Sequence, residues 1–419
     1  MMTSSSRRAY VWAWLPGQTS PVVAGLVERD DQDHYRFTYG RRYLARKDAI
    51  SLYPHELPLQ PGSQEQADGA LPSCLRDAAP DAWGRRVIIN RLTGRKGDAA
   101  DEVEFNELVY LLESGSDRIG ALDFQLSASE YRPREPQDAT LAALQEASAY
   151  VEAGEPLPPP LEQAIQHGSS IGGARPKALL DDRDRKLVAK FSSSTDLYSI
   201  VKAEFAAMRL ARLVGLDIAP VEMTRSLGKD VLLVERFDRM RAPGGWSRRM
   251  VLSALTLLGL DEMTARYASY EDLGHRIRAE FYQPEQSLLE LFGRIVFNVL
   301  CGNTDDHARN HAAFWDGESY RLTPAYDICP QSRTGGEATQ AMLMSGQERR
   351  SQLVHCLAAA ERLGLSLGQA REIIDHQLAT IREQWEAVCD EAALSTVDRN
   401  FLWGRQFLNP FALEGYTAS

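Results

Sequence analysis

Cysteine is scarce in this sequence of 419 residues, and no two cysteines form a C-x-x-C pair. The five are Cys74, Cys301, Cys329, Cys356 and Cys389. This odd, scattered set lacks the spacing of a disulfide framework or a zinc site and favours a reducing compartment. No apolar run reaches the ~18 residues that cross a bilayer, and the stretch Ala9–Leu15 is too short for a typical signal peptide. We therefore expect a soluble, cytoplasmic protein with no membrane partner.

Positive charge is also in short supply. Lys and Arg number 47 against 58 Asp and Glu, which gives a net charge of −11. A protein that binds nucleic acid by itself needs a dense basic surface, so this charge balance argues against a nucleic-acid-binding protein. A local basic patch or a basic partner protein remains possible. Hydrophobic content of 44% and charged content of 25% are those of a globular protein. The length suggests two or three domains.

Residues 1–130 predict a small α/β domain with three short strands followed by two helices. The predicted strands are Tyr10–Leu15, Val22–Leu26 and Tyr35–Tyr39, and the predicted helices are Leu75–Leu92 and Glu102–Leu112. Residues 131–165 predict an extended linker, because four of the five positions 156–160 are proline.

Residues 166–244 predict a mostly β lobe with one helix, and residues 245–419 predict a mainly helical lobe. In the first lobe the pattern gives a hairpin, a helix and a third strand. These are Ala178–Leu180 with Leu187–Phe191, then Leu197–Val214, then Val231–Phe237. In the helical lobe, Leu288–Leu300 has apolar residues at helical spacing and predicts a buried helix.

The polar loop 303–311 directly follows that helix, and such residues are poor core material. Asp305 and Asn310 lie five positions apart in it. Two short strands, His311–Trp315 and Tyr320–Leu322, then predict a hairpin that brings Asp327 back to the same neighbourhood.

The spacing of Asp305, Asn310 and Asp327 matches that of enzymes that transfer phosphoryl groups. Protein kinases use the Asp of D-x-x-x-x-N to orient the attacking hydroxyl, while the Asn and a later Asp hold magnesium. A single Asp–Asn pair more often forms an ordinary surface turn. The flanking helix, the hairpin and Asp327 together favour the catalytic interpretation.

A zinc site would use His307 and His311 on one helical face, but the loop composition argues against a helix there. His307 is instead expected to orient Asp305.

A kinase also needs a loop that covers the ATP phosphates and a lysine that contacts them. Gly172 and Gly173 allow close approach of the backbone to phosphates, although a flexible turn is the simpler interpretation. Lys190 sits in an apolar strand, where a lysine more often faces outward. Glu204 on the next helix is a candidate partner, with a solvated glutamate as the simpler account. The strand ending near Glu235 leads to a candidate adenine-binding hinge.

Eight stretches of the chain resemble the HipA-type serine/threonine kinases, the toxins of bacterial toxin–antitoxin modules. In the C-terminal part they are Ser170–Lys177, Leu187–Phe191, Val234–Arg239, Thr304–Asn310 and Tyr320–Asp327. In the N-terminal part they are Tyr53–Gln60, Ala79–Ala82 and Arg118–Ala121. The block T-D-x-H-A-x-N combined with Y-R-L-T-P-x-Y-D is highly specific.

The resemblance implies an α+β, two-lobed kinase-like fold, with a mostly β N-lobe, a mostly α C-lobe and a small α/β N-terminal domain. It implies ATP and Mg²⁺ as cofactors, with Asp305 as the catalytic residue and Asn310 and Asp327 as metal ligands. ATP would lie against Lys190, Lys177, Gly172, Gly173, His307 and the hinge residues Glu235 and Phe237. Ser170 aligns with the serine that such kinases autophosphorylate to inactivate themselves. Asp306 departs from the small residue common in the family and puts the metal count in doubt.

The resemblance further implies a HipB-like DNA-binding antitoxin as partner, with DNA contacted mainly through it. The protein substrate would be a translation component such as an aminoacyl-tRNA synthetase. Two alternatives remain open: a small-molecule phosphotransferase of kinase-like fold, and a catalytically silent partner of an antitoxin.

Overall fold

A computed structural model gives the fold. It describes residues 6–94, 105–134, 139–153, 155, 158, 160–161, 175–182, 184–193, 196, 198–333 and 335–418. The chain divides into two compact units. The first contains 1–193, 225–252 and 315–318, and the second contains 194–224, 253–314 and 319–419.

The first unit begins with an antiparallel sheet of order β4-β3-β2-β1-β5. Its strands are β1 Arg8–Ala13, β2 Val22–Arg29, β3 Tyr35–Tyr39, β4 Ser63–Glu65 and β5 Leu122–Gln125. The three strands predicted here are confirmed, with bounds shifted by up to three residues. Alternate side chains of β3 are buried, as expected for a sheet with one face on a core, whereas β1 buries three consecutive residues at its end.

The N-terminal helices are α1 Arg41–Leu44, α2 Ser73–Arg76, α3 Ala82–Thr93 and α4 Glu107–Glu113. The single helix predicted over Leu75–Leu92 is wrong, because the chain leaves the helical path between α2 and α3. Pro80 lies in this break and disfavours helical backbone at the residue before it. Helix α4 starts where the Asn106 side chain accepts a hydrogen bond from the Val109 N–H.

Part of the stretch predicted as a linker is helix α5, Leu141–Ala153. Its Leu144 packs into the core with Phe191 and Val231, and its Ala147 packs against Trp83 of α3. The four prolines that predicted the linker, at positions 156–160, follow this helix in the sequence. The domain bounds predicted at 130, 165 and 244 stay predictions.

A second sheet of the first unit contains β6 Lys177–Asp182, β7 Arg185–Phe191 and β9 Lys229–Glu235. Strand β7 is antiparallel to both neighbours, which confirms the predicted hairpin. The remaining strands before the polar loop 303–311 are β8 Val221–Ser226, β10 Arg239–Ala242, β11 Gly245–Arg248 and β12 Met250–Ser253.

The second unit is mainly helical. Its helices are α6 Ile200–Leu213, α7 Ala254–Leu257, α8 Tyr270–Glu280, α9 Pro284–Cys301, α10 Leu353–Arg362, α11 Leu367–Glu391, α12 Thr396–Leu402 and α13 Pro410–Leu413. The predicted helices at 197–214 and 288–300 correspond to α6 and α9. The predicted hairpin is also present, as β13 Ala312–Trp315 and β14 Tyr320–Leu322. Within the described ranges, no helix combines the length and apolarity needed to cross a membrane.

Candidate active site

The buried helix α9 fixes where the polar loop begins. Gly302 ends the helix with φ +72°, and its N–H bonds to carbonyls of the last turn. A Cβ at this position would lie 2.7 Å from the Gln406 carbonyl oxygen. Both the backbone conformation and the close approach therefore require glycine here.

The loop folds back on itself between Asp305 and Asn310. The Asn310 N–H donates to the His307 carbonyl at 2.8 Å, and its side-chain Nδ2 donates to the Asp305 carbonyl at 3.3 Å. Asn310 is buried, whereas Asp305 is exposed. The segment from His307 to His311 contains no helix, as predicted, so these two histidines do not share a helical face.

The returning segment places Asp327 beside this loop. The Ala325 N–H donates to the Asp217 carbonyl at 2.7 Å, and the Tyr326 hydroxyl donates to the Arg309 carbonyl at 2.6 Å. Asp327 itself has φ +59°, a left-handed conformation that few residues other than glycine adopt. Backbone conformations of this kind concentrate at functional sites. The structure thus brings Asp305, Asn310 and Asp327 together within the second unit.

The charges in this loop act on one another. Desolvation by the surrounding loop raises the pKa of the Asp305 carboxyl, and the carboxylates of Asp327 and Asp306 raise it further, against an opposing effect of His307. Neighbouring carboxylates favour a cation, and carboxylate and amide oxygens are the donors that Mg²⁺ takes in proteins. Across the described part of the chain, no three His, Cys, Asp or Glu side chains form a metal cluster. A metal site here would take the Asp327 carboxylate and the Asn310 amide, with the Asp305 carboxylate beside them.

Asp306, between Asp305 and His307 in the loop, is buried. It accepts hydrogen bonds from the Tyr270 hydroxyl at 2.5 Å and from His311 Nε2 at 2.9 Å. Burial would raise its pKa, but His311 and the two hydrogen bonds outweigh burial and lower it. The Asp306 carboxylate is thus engaged by two core side chains, and its effect on the metal count stays a prediction.

In the first unit, Lys190 and Lys177 are neighbours across β7 and β6. Leu187, Ala189 and Phe191 of β7 face the core, and strand alternation puts Lys190 on the opposite face. Lys177 is 5% exposed. Like charges directly opposite each other in a sheet repel, so this face favours an anion.

The hinge candidates also lie in the first unit. Strand β9 ends at Glu235, two residues earlier than predicted, because the chain there enters a buried ionic network. Arg236 and Arg239 both bond Asp238, and both also reach the Asp117 carboxylate. Asp238 in turn accepts the Gly120 N–H at 2.7 Å. The network fixes the backbone on either side of Phe237.

Ser170, Gly172 and Gly173 lie outside the described residues. Glu204 is 2% exposed, so the interpretation as a solvated glutamate is wrong.

Sequence reasoning missed the residues that hold the site in place. Tyr270 and His311 orient Asp306, and Tyr326 ties the returning segment to the loop. The buried Arg294 donates from α9 to the Thr323 carbonyl at 2.9 Å. An arginine within a mostly apolar helix was an available sequence signal for Arg294.

Comparisons with known proteins identify the family and the fold of the chain. The HipA N-terminal domain family matches residues 18–125, and the HipA-like C-terminal domain family matches residues 169–385, more than half of the chain. A solved HipA–HipB–operator DNA complex from Shewanella oneidensis contains a chain with TM-score 0.71 and 19% identity, covering 96% of this chain and 99% of that one. The predicted α+β, kinase-like fold class is thereby confirmed.

Curated relatives carry kinase names. A putative kinase of Sinorhizobium fredii, Y4mE, is 32% identical over 147 residues, which is 34% of this chain and 33% of that protein. The serine/threonine-protein kinase toxin HipA of Shewanella oneidensis is 26% identical over 184 residues, 38% of this chain and 42% of that protein. The matches thus span about a third to two fifths of these relatives. On the evidence of its two matching domains and its fold, the chain belongs to the HipA family.

Proposed function

We propose that the protein is an ATP- and Mg²⁺-dependent serine/threonine protein kinase that acts as the toxin of a HipA/HipB-like module. The observation that carries this proposal is the grouping of Asp305, Asn310 and Asp327 at the end of a buried helix. Phosphoryl transfer depends on positioning and electrostatics, and these three side chains supply the required groups.

Asp305 acts on the attacking hydroxyl. It is the exposed member of the group, so a serine or threonine of a substrate can reach it. Its raised pKa makes its carboxylate a better proton acceptor than an ordinary aspartate, which suits a residue that orients and accepts the hydroxyl proton.

Asn310 and Asp327 would hold Mg²⁺ through an amide and a carboxylate oxygen. The bound ion supplies neutralisation of charge on the nucleotide phosphates. The burial of Asn310 and the constrained backbone of Asp327 keep both side chains oriented before ATP arrives.

Lys190 and Lys177 would contact the ATP phosphates, with Gly172 and Gly173 allowing the covering loop to approach. The backbone of Glu235 and Phe237 would receive adenine, and His307 would orient Asp305 beside the nucleotide. The adjacent lysines on one sheet face support the assignment of an anionic ligand.

The proposed partner is a HipB-like antitoxin that makes most of the DNA contacts, in a cytoplasmic complex. The solved complex of HipA, HipB and operator DNA supports this partner, and the net charge of −11 agrees with that division of labour. The proposed substrate is a translation protein such as an aminoacyl-tRNA synthetase.

The test is transfer of labelled phosphate from ATP by the purified protein, alone and with bacterial lysate. We expect magnesium-dependent labelling of the protein itself and of a lysate protein. Absence of both labels with folded protein would refute kinase activity. Label only in small molecules would indicate a phosphotransferase instead.

Lys190→Ala is expected to weaken ATP binding about tenfold or more, because a charge-assisted contact to phosphate is lost. Isothermal titration calorimetry with ATP and Mg²⁺ measures the change. Lys186→Ala on the same strand is the matched control, since Lys186 pairs with Asp181. Equal affinity of the two variants would remove Lys190 from the ATP site.

Ser170→Ala is expected to abolish self-labelling of the peptide around residue 170 and to prolong activity during incubation with ATP. A phosphate there adds about −1.5 to −2 charges near Lys177 and Arg175 and disfavours the ATP-bound loop. Mass spectrometry of the peptide provides the measurement, with Ser169→Ala as the control. Phosphate retained in Ser170→Ala but lost in Ser169→Ala would move the modification to Ser169.

A further inference from the structure

The segment between α7 and α8, within the second unit, carries an exposed group of side chains. Among the large hydrophobic side chains that the structure describes, Met263 has the greatest exposed fraction, 83%. Tyr267 is 55% exposed, and Arg266 beside it is exposed as well. We call these three side chains the α7–α8 patch. Exposed apolar side chains that occur close together mark interaction surfaces, whereas those scattered singly are ordinary.

Two contacts place this segment against the loop that carries Asp305. On one side of the patch in the sequence, Glu262 pairs with Arg309 of this loop. On the other side, the Tyr270 hydroxyl donates to the carboxylate of Asp306, the next residue after Asp305, at 2.5 Å. The patch residues lie between these two contacts in the chain, so the patch borders the loop.

Hydrogen bonds restrain the backbone of the patch. The Thr264 N–H donates to the Asp261 carboxylate at 2.8 Å, and the Asp261 N–H donates to the Thr264 hydroxyl at 2.9 Å. The Arg349 guanidinium donates to the carbonyls of Arg266 and Ala341. A surface whose backbone is already restrained loses less conformational freedom when a partner binds. The patch is therefore both exposed and preorganised.

The charges at the patch are unbalanced. Asp261 accepts hydrogen bonds within its own turn, and Glu262 pairs with Arg309, so both of these carboxylates are engaged. The Arg266 guanidinium lies 4.8 Å from the centre of the Tyr267 ring and pairs with no carboxylate of the described residues. An exposed guanidinium of this kind favours an anionic partner. Arginine and tyrosine are also residue types enriched where binding energy concentrates in interfaces.

We propose that the α7–α8 patch is a docking surface for the protein substrate and binds a substrate segment that carries acidic and apolar side chains. A substrate carboxylate pairs with Arg266, and an apolar substrate side chain packs on Met263 and the Tyr267 ring. Methionine suits this role because its flexible side chain adapts to partners of different shape. Docking here holds the substrate beside the exposed Asp305. The proposal rests on the kinase function proposed above.

The test measures binding of dephosphorylated β-casein, an acidic protein that also carries apolar side chains and serines, to the immobilised full chain without nucleotide. A chain of net charge −11 repels acidic proteins in general, so casein binding depends on local positive charge. We expect Arg266→Glu to weaken casein binding about tenfold or more, the effect of losing a charge-assisted contact.

Arg405→Glu is the matched control for this charge reversal. Arg405 is also exposed, lies 4.9 Å from the centre of the Phe401 ring, and has no carboxylate partner in the part of the chain that the structure describes. This variant should bind casein like the wild type. Equal casein binding by Arg266→Glu and Arg405→Glu would overturn the proposal, and so would failure of the wild type to bind casein.

Met263→Ser tests the apolar contact. It should weaken casein binding about fivefold, because the apolar surface that the partner covers is lost. Val397→Ser is its control, since Val397 on α12 is 76% exposed and lies outside the patch. Equal weakening in the two variants would assign the loss to general surface polarity and would contradict the apolar contact at Met263.

The kinetics of phosphate transfer separate docking from catalysis. With casein as the acceptor, Arg266→Glu should raise KM about tenfold and leave kcat nearly unchanged, the pattern expected when only substrate binding is lost. A fall in kcat at unchanged KM would contradict a docking role. The kinase function fails separately, if no phosphate reaches casein or the protein itself while casein binding still depends on Arg266.

Discussion

Asp305→Asn is expected to lower phosphoryl transfer about a thousandfold, within the range contributed by a positioned acid–base group. An asparagine keeps the size and the loop contacts of Asp305 but cannot accept the hydroxyl proton. Binding of ATP and Mg²⁺ should largely persist, because Asn310 and Asp327 are unchanged. The measurement is kcat for transfer to a substrate protein, with ATP affinity determined in parallel by calorimetry.

Asp316→Asn is the matched control, since Asp316 is an exposed aspartate in the turn between β13 and β14. We expect near wild-type transfer from it. Thermal unfolding of both variants shows whether the loop remains folded. If Asp305→Asn kept more than a tenth of the wild-type rate, another group would have to accept the proton, and the role of Asp305 would be limited to structure.

Much of this site could be predicted because its signals are local in sequence. The apolar spacing of Leu288–Leu300, the polar loop behind it and the hairpin that returns to Asp327 each depend on neighbouring residues. Local periodicity and turn chemistry decide such features. The three residues that the structure groups in the second unit were all found in this way.

The rest depends on contacts between residues far apart in the sequence. Nothing near Asp306 indicates that its carboxylate turns to Tyr270, 36 positions earlier. The same holds for the partners of helix α5, which packs against α3 and β7. The charged residues after β9 gave no sign that Asp117 would be their partner. Long-range burial of this kind overrides local preference.

The second large effect concerns this ionic network in the first unit. Asp238→Asn is expected to destabilise the first unit by about 3–5 kcal/mol, the cost of leaving a buried charge without its partner. The Asp238 carboxylate accepts bonds from Arg236, Arg239 and the Gly120 N–H, and it is 1% exposed. An asparagine would direct its NH₂ group at one of these donors and would leave two buried guanidinium groups short of negative charge.

Urea unfolding followed by tryptophan fluorescence measures the effect, because Trp14 in this unit carries the Arg248 guanidinium 3.6 Å from its ring centre. Asp184→Asn is the matched control. Its pair with Arg241 has the same chemistry at 2.8 Å but is exposed on both sides, so a loss below about 1 kcal/mol is expected. Similar losses of unfolding free energy in the two variants would mean that the buried network contributes no more stability than a surface ion pair.

The pH dependence gives an independent check on the same carboxylate. Burial alone would raise the pKa of Asp238, but the charges of Arg236 and Arg239 outweigh burial and lower it. A carboxyl whose pKa is lower in the folded state stabilises the fold above its unfolded pKa of about 3.9, and this contribution disappears as the pH falls through the folded value. The free energy of unfolding of the wild type should therefore fall below about pH 4 more steeply than that of Asp238→Asn. Parallel pH profiles would show that Asp238 carries no such linkage, and the stability that it provides would then have to come from packing rather than from its charge.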